Sequence, residues 1–519
     1  MPASVRKAAT KKGNIMIRRL LISTLVATAC WAGAANAGKD DNTLNVAFTN
    51  EIATLDNYQE SGREGLILAR LLYDNLVSKN LETGEFEPEL AESYELISDD
   101  VIEFKIRQGV KFHNGETLTA DDVAYTLNLV SSPEYNARYQ IAVEWIDSVE
   151  KVDENTVRLK MTHPYPLALE MLAGNLPIYP KAYYEEAGPS GMATKPIGSG
   201  PYKLVEQTQG VRFVLEKFED YFEDSPKGMP SIDRIVVRIL PEANTQYAEL
   251  LNGSLDWIWR VPPDDAANLE RQPSLEVKSA EIMRFAYMSF NPQFNGGDTP
   301  IADARVRRAI NHAINRTAIK DALVGGASQI INSACNPIQF GCATDVTEYE
   351  YDPDKARALL AEAGYESGFT MDLMIASLPT VQAEAIAADL ARVGITLNLN
   401  PQQYGSAVTT WRENRAPLFL LNWGSYGVGD VGLSTSQFFG GTGDDVVKNP
   451  ELIKILQEAD TSMDRDRRAE LYADALEIIA DEAYWVPLWT YSVFTAQNAD
   501  LELSLQPDEF VQIYSASWK

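Results

Sequence analysis

The sequence DPDKARALLAEAGYESGFTMDLMIASLPTVQAEAIAADLARVGITLNLN, residues 352–400, decides the class of fold. It begins with Asp352-Pro353, a pair typical of helix starts, because Asp accepts hydrogen bonds from free amides and Pro loses none at the first helical position. We expect this helix to end at Gly364, since glycine tolerates a left-handed cap. An alternating strand, a helix and a second strand follow, at 369–375, 380–393 and 395–399. This order predicts a β-α-β unit, in which the two strands are parallel.

The rest of the chain continues the alternation of strands and helices. Residues 101–106 alternate apolar and polar side chains, as a half-buried strand does. Residues 119–122, Thr-Ala-Asp-Asp, form a capping-box-like start for a helix through Val130. Further strands are predicted at 44–48, 157–161 and 235–240, and two amphipathic helices start at Pro450 and at about Asp466. The sequence therefore predicts a mixed α/β protein with at least two lobes.

The N-terminus has the features of an export signal. Arg18-Arg19 precedes an apolar run at 20–29, which is shorter than the about 20 residues that span a bilayer. Ala35-Asn36-Ala37 then matches the small-x-small pattern of a cleavage site. We predict a cleaved signal peptide over residues 1–37, a soluble mature chain and a periplasmic location. Lipid attachment at Cys30 is an alternative that its neighbouring residues do not favour.

The charge balance argues against partners that are themselves strongly negative. The 519 residues include 45 Lys and Arg against 74 Asp and Glu. The predicted signal peptide holds six of the basic residues and no acidic one, so the mature chain has 39 basic and 74 acidic side chains, a net charge of −35. A surface this negative repels nucleic-acid phosphates and anionic lipid, and we expect neither partner.

Two cysteines, Cys335 and Cys342, remain in the mature chain, in a loop-like stretch that contains Asn336-Pro337 and Gly341. Because exported proteins fold in an oxidising compartment, we predict a local disulfide, with two free thiols as the alternative. Two cysteines without a nearby histidine make a poor metal site, so we expect no metal.

A secreted hydrolase is the main rival class, and its sequence motifs are missing. The chain has neither His-Glu-x-x-His nor Gly-x-Ser-x-Gly. Its three histidines, His113, His163 and His312, are not paired with a nucleophile in any recognisable pattern. Catalysis requires such partners, so we expect structural histidines and no enzyme.

A glycine-rich segment at 427–432, Gly-Val-Gly-Asp-Val-Gly, fits the dinucleotide pattern Gly-x-Gly-x-x-Gly. Its context does not fit, because a dinucleotide site needs the first glycine directly after a strand and a helix that opens at the third. We therefore expect no nucleotide and no other cofactor, and interpret the segment as a loop in the wall of a cleft.

Aromatic residues are numerous, with nine Trp and 23 Tyr. Trp423 and Tyr426 flank Gly424 in a loop that ends a predicted strand, a position where ligands often bind in α/β sheets. Trp257 and Trp259 alternate in a strand and are expected in the core. Aromatic rings with a few polar groups are typical of a binding pocket.

Several stretches, in order, resemble the family 5 extracellular solute-binding proteins of ABC importers, which include oligopeptide- and dipeptide-binding proteins. They span nearly the whole mature chain and are found at 72–77, 89–94, 104–107, 110–115, 119–123, 196–202, 304–310 and 351–353. The resemblance implies a type II, Venus-flytrap periplasmic binding protein, whose two lobes close over the ligand. We place lobe I at 38–288 with an inserted subdomain at about 82–193, lobe II at 289–488, and a return to lobe I at 489–519.

The resemblance also implies where the ligand binds. Peptide binders of the family often hold the ligand's α-amino group with an Asp three residues after the Trp of a Gly-Trp loop, and here that place is Tyr426. Asp430 is a substitute further along the loop. Arg412 lies near a place where some members have an Arg for a ligand carboxylate, which guanidinium binds bidentately; a solvated surface Arg is the alternative. The predicted ligand-binding set is Trp423, Tyr426, Asp430, Arg412, Asn50 and Glu51.

The function implied is capture of a peptide or peptide-like solute and its delivery to ABC permease and ATPase subunits. The departure at Tyr426 leaves an opine or an oligosaccharide open as the ligand of the same fold. A monomer is expected. Docking of the loaded protein to a chemoreceptor is a further possibility that the sequence does not separate from import.

Overall fold

The computed structural model describes residues 38–519 except 61, 82 and 175, and shows a mixed α/β protein. The predicted signal peptide, with Cys30, lies outside the described residues. Within those residues, no helix combines the length and the apolar character needed to cross a bilayer.

The strands and helices are numbered here in chain order. The strands are β1 Thr43–Phe48, β2 Val77–Lys79, β3 Phe86–Pro88, β4 Ala91–Ser98, β5 Val101–Ile106, β6 Ile146–Asp153, β7 Thr156–Met161, β8 Tyr202–Thr208, β9 Arg212–Lys217, β10 Arg234–Ile239, β11 Trp257–Trp259, β12 Leu275–Phe290, β13 Phe369–Ile375, β14 Ile395–Pro401, β15 Leu418–Trp423, β16 Trp485–Asn498, β17 Leu501–Glu502 and β18 Ser517–Trp518. The α-helices are α1 Arg63–Leu72, α2 Ala120–Ser131, α3 Ala168–Gly174, α4 Lys181–Thr194, α5 Ala243–Leu251, α6 Pro263–Leu269, α7 Ala304–Ala313, α8 Arg316–Leu323, α9 Pro353–Glu362, α10 Thr380–Ala391, α11 Tyr404–Arg412, α12 Gly432–Phe439, α13 Pro450–Thr461 and α14 Arg465–Asp481.

The β-α-β unit predicted from residues 352–400 is confirmed. The side chain of Asp352 accepts hydrogen bonds from the backbone amides at 354 and 355 at the start of α9, and Gly364 after its end has φ +86°. Strands β13 and β14 pair in parallel on either side of α10. The capping box that starts α2 at Thr119 is also present.

The largest sheet of the protein has ten strands, in the order β14-β13-β15-β12-β16-β11-β1-β10-β9-β8. Parallel pairs lie in its two outer parts, where β13 joins β14 and β15, and β1 joins β10 and β11. The long antiparallel strands β12 and β16 lie between these parts and pair over most of their length. One part of the sheet thus comes from early residues of the chain and the other from late ones, with β12 and β16 in common.

Strand β12 is interrupted where it pairs with β16. Ile282 pairs with Tyr491, but the next pair is Phe285 with Thr490, so two residues of β12 are unpaired in a β-bulge. Bulges redirect side chains and are frequent beside binding sites. One of the two redirected residues is Arg284.

A second, antiparallel sheet has four strands in the order β4-β5-β7-β6 and covers residues 91–161. Helix α2 packs against its strand β6. It lies within the subdomain predicted at about 82–193. The domain limits given above remain predictions.

The hydrophobic cores follow the two parts of the large sheet. One core is built mainly from residues 44–259 and 501–516. Two others are built from residues 285–489, one on each side of the later part of the sheet. Trp257 and Trp259 are both buried, as expected.

Candidate functional site

A cavity of about 480 Å³, called here the main cavity, lies where the two parts of the chain meet. One wall comes from residues 50–66 after β1 and from residues 137–143 before β6. The facing wall comes from residues 422–426 at the end of β15 and from the start of α11. Ligand cavities in proteins are typically about 300–1,000 Å³, so this cavity can hold a small solute.

Aromatic rings form much of the wall. Tyr404 and Tyr426 are 46% and 40% exposed, which is unusual for large aromatic side chains inside a cleft. Tyr426 contacts Tyr139 from the opposite wall with ring centroids 4.2 Å apart, and contacts Trp423 at 5.3 Å. Exposed rings in a concave site can stack on apolar or planar parts of a ligand.

A group of five charged side chains, called here the arginine cluster, forms one end of the main cavity. At its centre Glu509 accepts a bidentate pair of hydrogen bonds from Arg284, at 2.7 and 3.2 Å. Arg63 lies 3.0 Å from the same carboxylate, and Arg260 lies 3.9 Å from both Glu509 and Glu64. Three guanidinium groups thus face two carboxylates within the cluster. The lining of the main cavity as a whole holds three arginines and three glutamates, Glu51, Glu60 and Glu64, so it carries no excess of positive charge.

The cluster keeps Glu509 ionised. Burial alone raises the pKa of this carboxyl. The opposing effect of Arg284, Arg63 and Arg260 is larger, so the pKa lies below its usual range.

Backbone conformation fixes the position of several of these groups. Arg260, Ser377, Ser425, Tyr426 and Glu509 all have φ between +44° and +65°, the left-handed region that non-glycine residues rarely adopt. Such residues tend to cluster at functional sites, and five of the eleven in the described part of the chain lie here.

The glycine between Trp423 and Ser425 makes room for the arginine cluster. A Cβ atom on Gly424 would lie 2.6 Å from a guanidinium nitrogen of Arg284. The side chain of Arg284 also donates a hydrogen bond of 2.6 Å to the Asn422 Oδ1. The loop after β15 and the bulge in β12 therefore fit one another.

A second chamber of about 480 Å³ adjoins the main cavity. The two share Arg260, Arg284, Ser377 and Asn422 in their walls, so the arginine cluster stands between them. Glu509 and Trp259 line the second chamber.

Four of the six predicted ligand residues line the main cavity. They are Trp423, Tyr426, Asn50 and Glu51, of which all but Trp423 are exposed. Their contact with a ligand remains a prediction.

The structure does not bring Arg412 and Asp430 into the wall of the main cavity. Arg412 makes a bidentate ion pair with Asp444, at 2.5 and 2.8 Å, beside a small neighbouring pocket. Asp430 is 4% exposed and accepts hydrogen bonds from Arg468 at 2.8 Å and from the Gly432 amide at 2.9 Å. Both carboxylate oxygens of Asp430 therefore accept hydrogen bonds from the protein, and Asp430 forms a buried ion pair with Arg468.

The cysteines and histidines lie away from the main cavity. Cys335 and Cys342 are joined by a disulfide. His113 and His312 contact backbone carbonyls of Gly200 and Glu350, and His163 borders another cavity. Among the described residues no group of His, Cys, Asp or Glu is suited to hold a metal ion.

Sequence reasoning missed the arginine cluster. Its members come from four separate parts of the chain, and no local spacing connects them. Two signals were nevertheless present: Arg284 is an isolated charge inside the apolar run of β12, and Arg260 directly follows the end of β11, where ligands often bind in such sheets. No signal distinguishes Tyr404.

Comparison with known proteins defines the class. Residues 85–445 match the family described as bacterial extracellular solute-binding proteins, family 5 Middle, and the chain belongs to this family. It is 31% identical over 454 residues to Heme-binding protein A of Haemophilus influenzae, which covers 80% of this chain and 81% of that protein. It is 29% identical over 451 residues to the Dipeptide-binding protein of Escherichia coli, covering 79% of this chain and 82% of that protein.

Solved structures agree. HbpA2 of Haemophilus parasuis is 26% identical, with a TM-score of 0.81 over 92% of this chain and all of that chain. The expected two-lobed periplasmic-binding-protein fold is thereby confirmed. The chain is a solute-binding protein of the kind that serves ABC importers, and its relatives are binding proteins rather than enzymes.

Proposed function

We propose that this protein binds a peptide or peptide-like solute in the main cavity and delivers it unchanged to the permease and ATPase subunits of an ABC importer. The observation that carries the proposal is one cavity of about 480 Å³ that combines exposed aromatic rings with guanidinium and carboxylate groups. A short peptide offers matching chemistry, since it has planar amides, side chains and charged ends.

The name of the dipeptide-binding relative supports a peptide over an opine or an oligosaccharide. The name of the heme-binding relative makes heme a necessary comparison. Delivery without chemical change is supported by the lack of a nucleophile–base pair in the cavity wall as far as the chain is described.

The predicted signal peptide supports action in the periplasm, and we expect the protein to act there as a monomer. Docking to a chemoreceptor is a second use of the loaded protein. Cleavage after residue 37 is testable by N-terminal sequencing of the exported protein, and the monomer by light scattering during size-exclusion chromatography.

The test of the ligand class is isothermal titration calorimetry with dipeptides, tripeptides, an opine, an oligosaccharide and hemin. We expect peptides to bind and to raise the melting temperature, because a ligand of the folded state stabilises it by mass action. Binding of the sugar, the opine or hemin without any peptide would contradict the proposal.

Matched tyrosine variants locate the site. Tyr404→Ala and Tyr426→Ala each remove an exposed ring from the cavity wall, and we expect at least a tenfold loss of peptide affinity, about 1.4 kcal/mol. Tyr351→Ala is the control, because Tyr351 is 41% exposed and lies outside the cavity wall. Equal effects of all three variants would place the peptide elsewhere.

A further inference from the structure

The wall of the main cavity near the arginine cluster has hydrogen-bond donors without partners. The Trp423 Nε1, the Ser425 hydroxyl and the Tyr139 hydroxyl are buried and have no hydrogen-bond partner in the part of the chain that the structure describes. The indole N–H can only donate, and the hydroxyls can donate or accept. These three atoms are enclosed by the surrounding protein, so they do not themselves contact a ligand in this conformation.

The carboxylates of the same wall are already engaged. Glu509 is held by its three guanidinium groups, and Glu64 accepts a hydrogen bond of 2.7 Å from Asn50. Glu60 accepts the backbone amide of Gly62 at 2.6 Å. Glu51 is exposed, where water competes for it. A ligand ammonium group therefore has Glu51 as its most accessible carboxylate, in competition with water.

Arg260 has guanidinium N–H groups that can still donate hydrogen bonds to a ligand. Its side chain is 44% exposed, it lies over the ring of Trp259 at 4.0 Å, and its two carboxylate neighbours are each 3.9 Å away. Among the described residues its guanidinium donates no hydrogen bond, whereas Arg284 donates three. Its left-handed backbone, φ +56°, holds it at the border of both chambers.

We propose that Arg260 binds a carboxylate of the ligand, so that the protein selects peptides by a free carboxyl group and does not require a free amino group. This inference rests on the proposed peptide-binding function and specifies its substrate class. A carboxylate has four lone-pair sites and accepts two parallel hydrogen bonds from one guanidinium.

The position of Tyr426 agrees with this selection. Tyr426 offers a ring and a hydroxyl where a carboxylate would hold an ammonium group, so the amino end of the ligand gains packing without charge pairing. The carboxyl end supplies the charge recognition.

The test uses the full mature protein after dialysis has removed any co-purified ligand. An equimolar pool of tripeptides with uncharged side chains is prepared in four forms, with the amino end free or acetylated and the carboxyl end free or amidated. Peptides retained by the protein are quantified by mass spectrometry. We expect both free-acid forms to be retained and both amides to be retained at least tenfold less.

Arginine variants assign the preference to one residue. Arg260→Gln is expected to lose the preference for free acids, and Arg260→Lys to keep part of it, because lysine keeps the charge without the bidentate geometry. Arg234→Gln is the matched control, since Arg234 on β10 is 46% exposed, lies 3.5 Å from the carboxylate of Glu216 on β9, and is outside the wall of the main cavity. Circular dichroism checks that each variant is folded.

The outcomes separate the inference from the proposed function. Equal retention of acids and amides, or an Arg260→Gln variant that still prefers acids, overturns the seat at Arg260 while peptide binding stands. Loss of the acetylated forms alone shows recognition of the amino group and also overturns it. Retention of no form at all contradicts the proposed function, and the inference fails with it.

Discussion

Two groups of buried charge in this protein have similar members and different surroundings. In the arginine cluster, Glu509 is surrounded by three guanidinium groups at the end of the main cavity. In the other group, called here the Asp430 pair, Arg468 binds Asp430 inside the later part of the chain. The first includes Arg260, whose guanidinium donates no hydrogen bond among the described residues and borders the main cavity. In the second, Arg468 also borders a cavity, of about 490 Å³, but protein groups already accept its hydrogen bonds.

Around the Asp430 pair, protein groups provide the hydrogen-bond partners that a ligand would provide in a binding site. Arg468 also contacts the hydroxyl of Tyr472 at 3.1 Å and the carbonyl of Ala459 at 3.3 Å. The nearby Asp460 accepts a hydrogen bond of 2.7 Å from Ser436. The comparison teaches that a buried charge indicates a binding site only when its partners leave some of its capacity unused.

The largest effect expected is on stability. Arg468→Met leaves Asp430 buried without its counter-charge, and we expect the free energy of unfolding to fall by about 3–5 kcal/mol in urea titrations. Arg260→Gln should lower it by less than about 1 kcal/mol, because its ion pairs are long and open to solvent. Similar losses in the two variants would remove the distinction between the two groups.

The disulfide should support the Asp430 pair without affecting the main cavity. Phe340 lies between Cys335 and Cys342, exchanges backbone hydrogen bonds with Gly429 and Val431, and has the Arg468 guanidinium over its ring at 5.3 Å. We expect Cys335→Ala with Cys342→Ala to lower the free energy of unfolding by about 2 kcal/mol, as for a short closed loop. Peptide affinity at 25 °C should stay within twofold, and a larger change in calorimetry would connect the two groups.

The two groups should respond to pH in opposite ways. Burial raises the pKa of Asp460 from 3.8 to about 6, so its folded form binds protons more tightly and stability falls as the pH rises from about 4 to about 6. The pKa of Glu509 is lowered from 4.5 by its arginines, so its contribution is present above about 4.5 and is lost as the pH falls through the folded value.

Urea unfolding from pH 3 to pH 7 measures both contributions. Asp460→Asn should reduce the loss of stability between pH 4 and pH 6, and Glu509→Gln should reduce the loss below about pH 4.5. Unchanged pH profiles in both variants would show that neither carboxyl controls them.

The smallest effect is expected at Arg412. Its side chain is 53% exposed and paired with Asp444, so Arg412→Gln should change stability by less than about 1 kcal/mol and peptide affinity by less than twofold. A tenfold loss of affinity in calorimetry would instead support the role that the sequence predicted for Arg412.

The fold was predictable where local chemistry decides it. Asp352-Pro353, Gly364 and the capping box at Thr119 specify helix ends through contacts within a few residues, and each is present. The bulge in β12 was not predictable, because it arises from pairing with β16, about 200 residues later in the chain.

The site was predictable only in part, for the same reason. Trp423 and Tyr426 follow a strand end and line the main cavity. Asp430 lies in the same loop, but its partner Arg468 is 38 residues away on α14, and no spacing in the sequence shows that the two meet. The arginine cluster joins residues more than 400 positions apart.

The bulge in β12 has a mechanical consequence. Besides redirecting Arg284, it frees the amide of Met283 to bind the carbonyl of Pro507 at 2.8 Å, two residues before Glu509. The guanidinium and its counter-ion are thus tied to one break in a strand shared by both parts of the sheet. If the lobes bend apart at this break, Arg284 and Glu509 should move together as one ion pair.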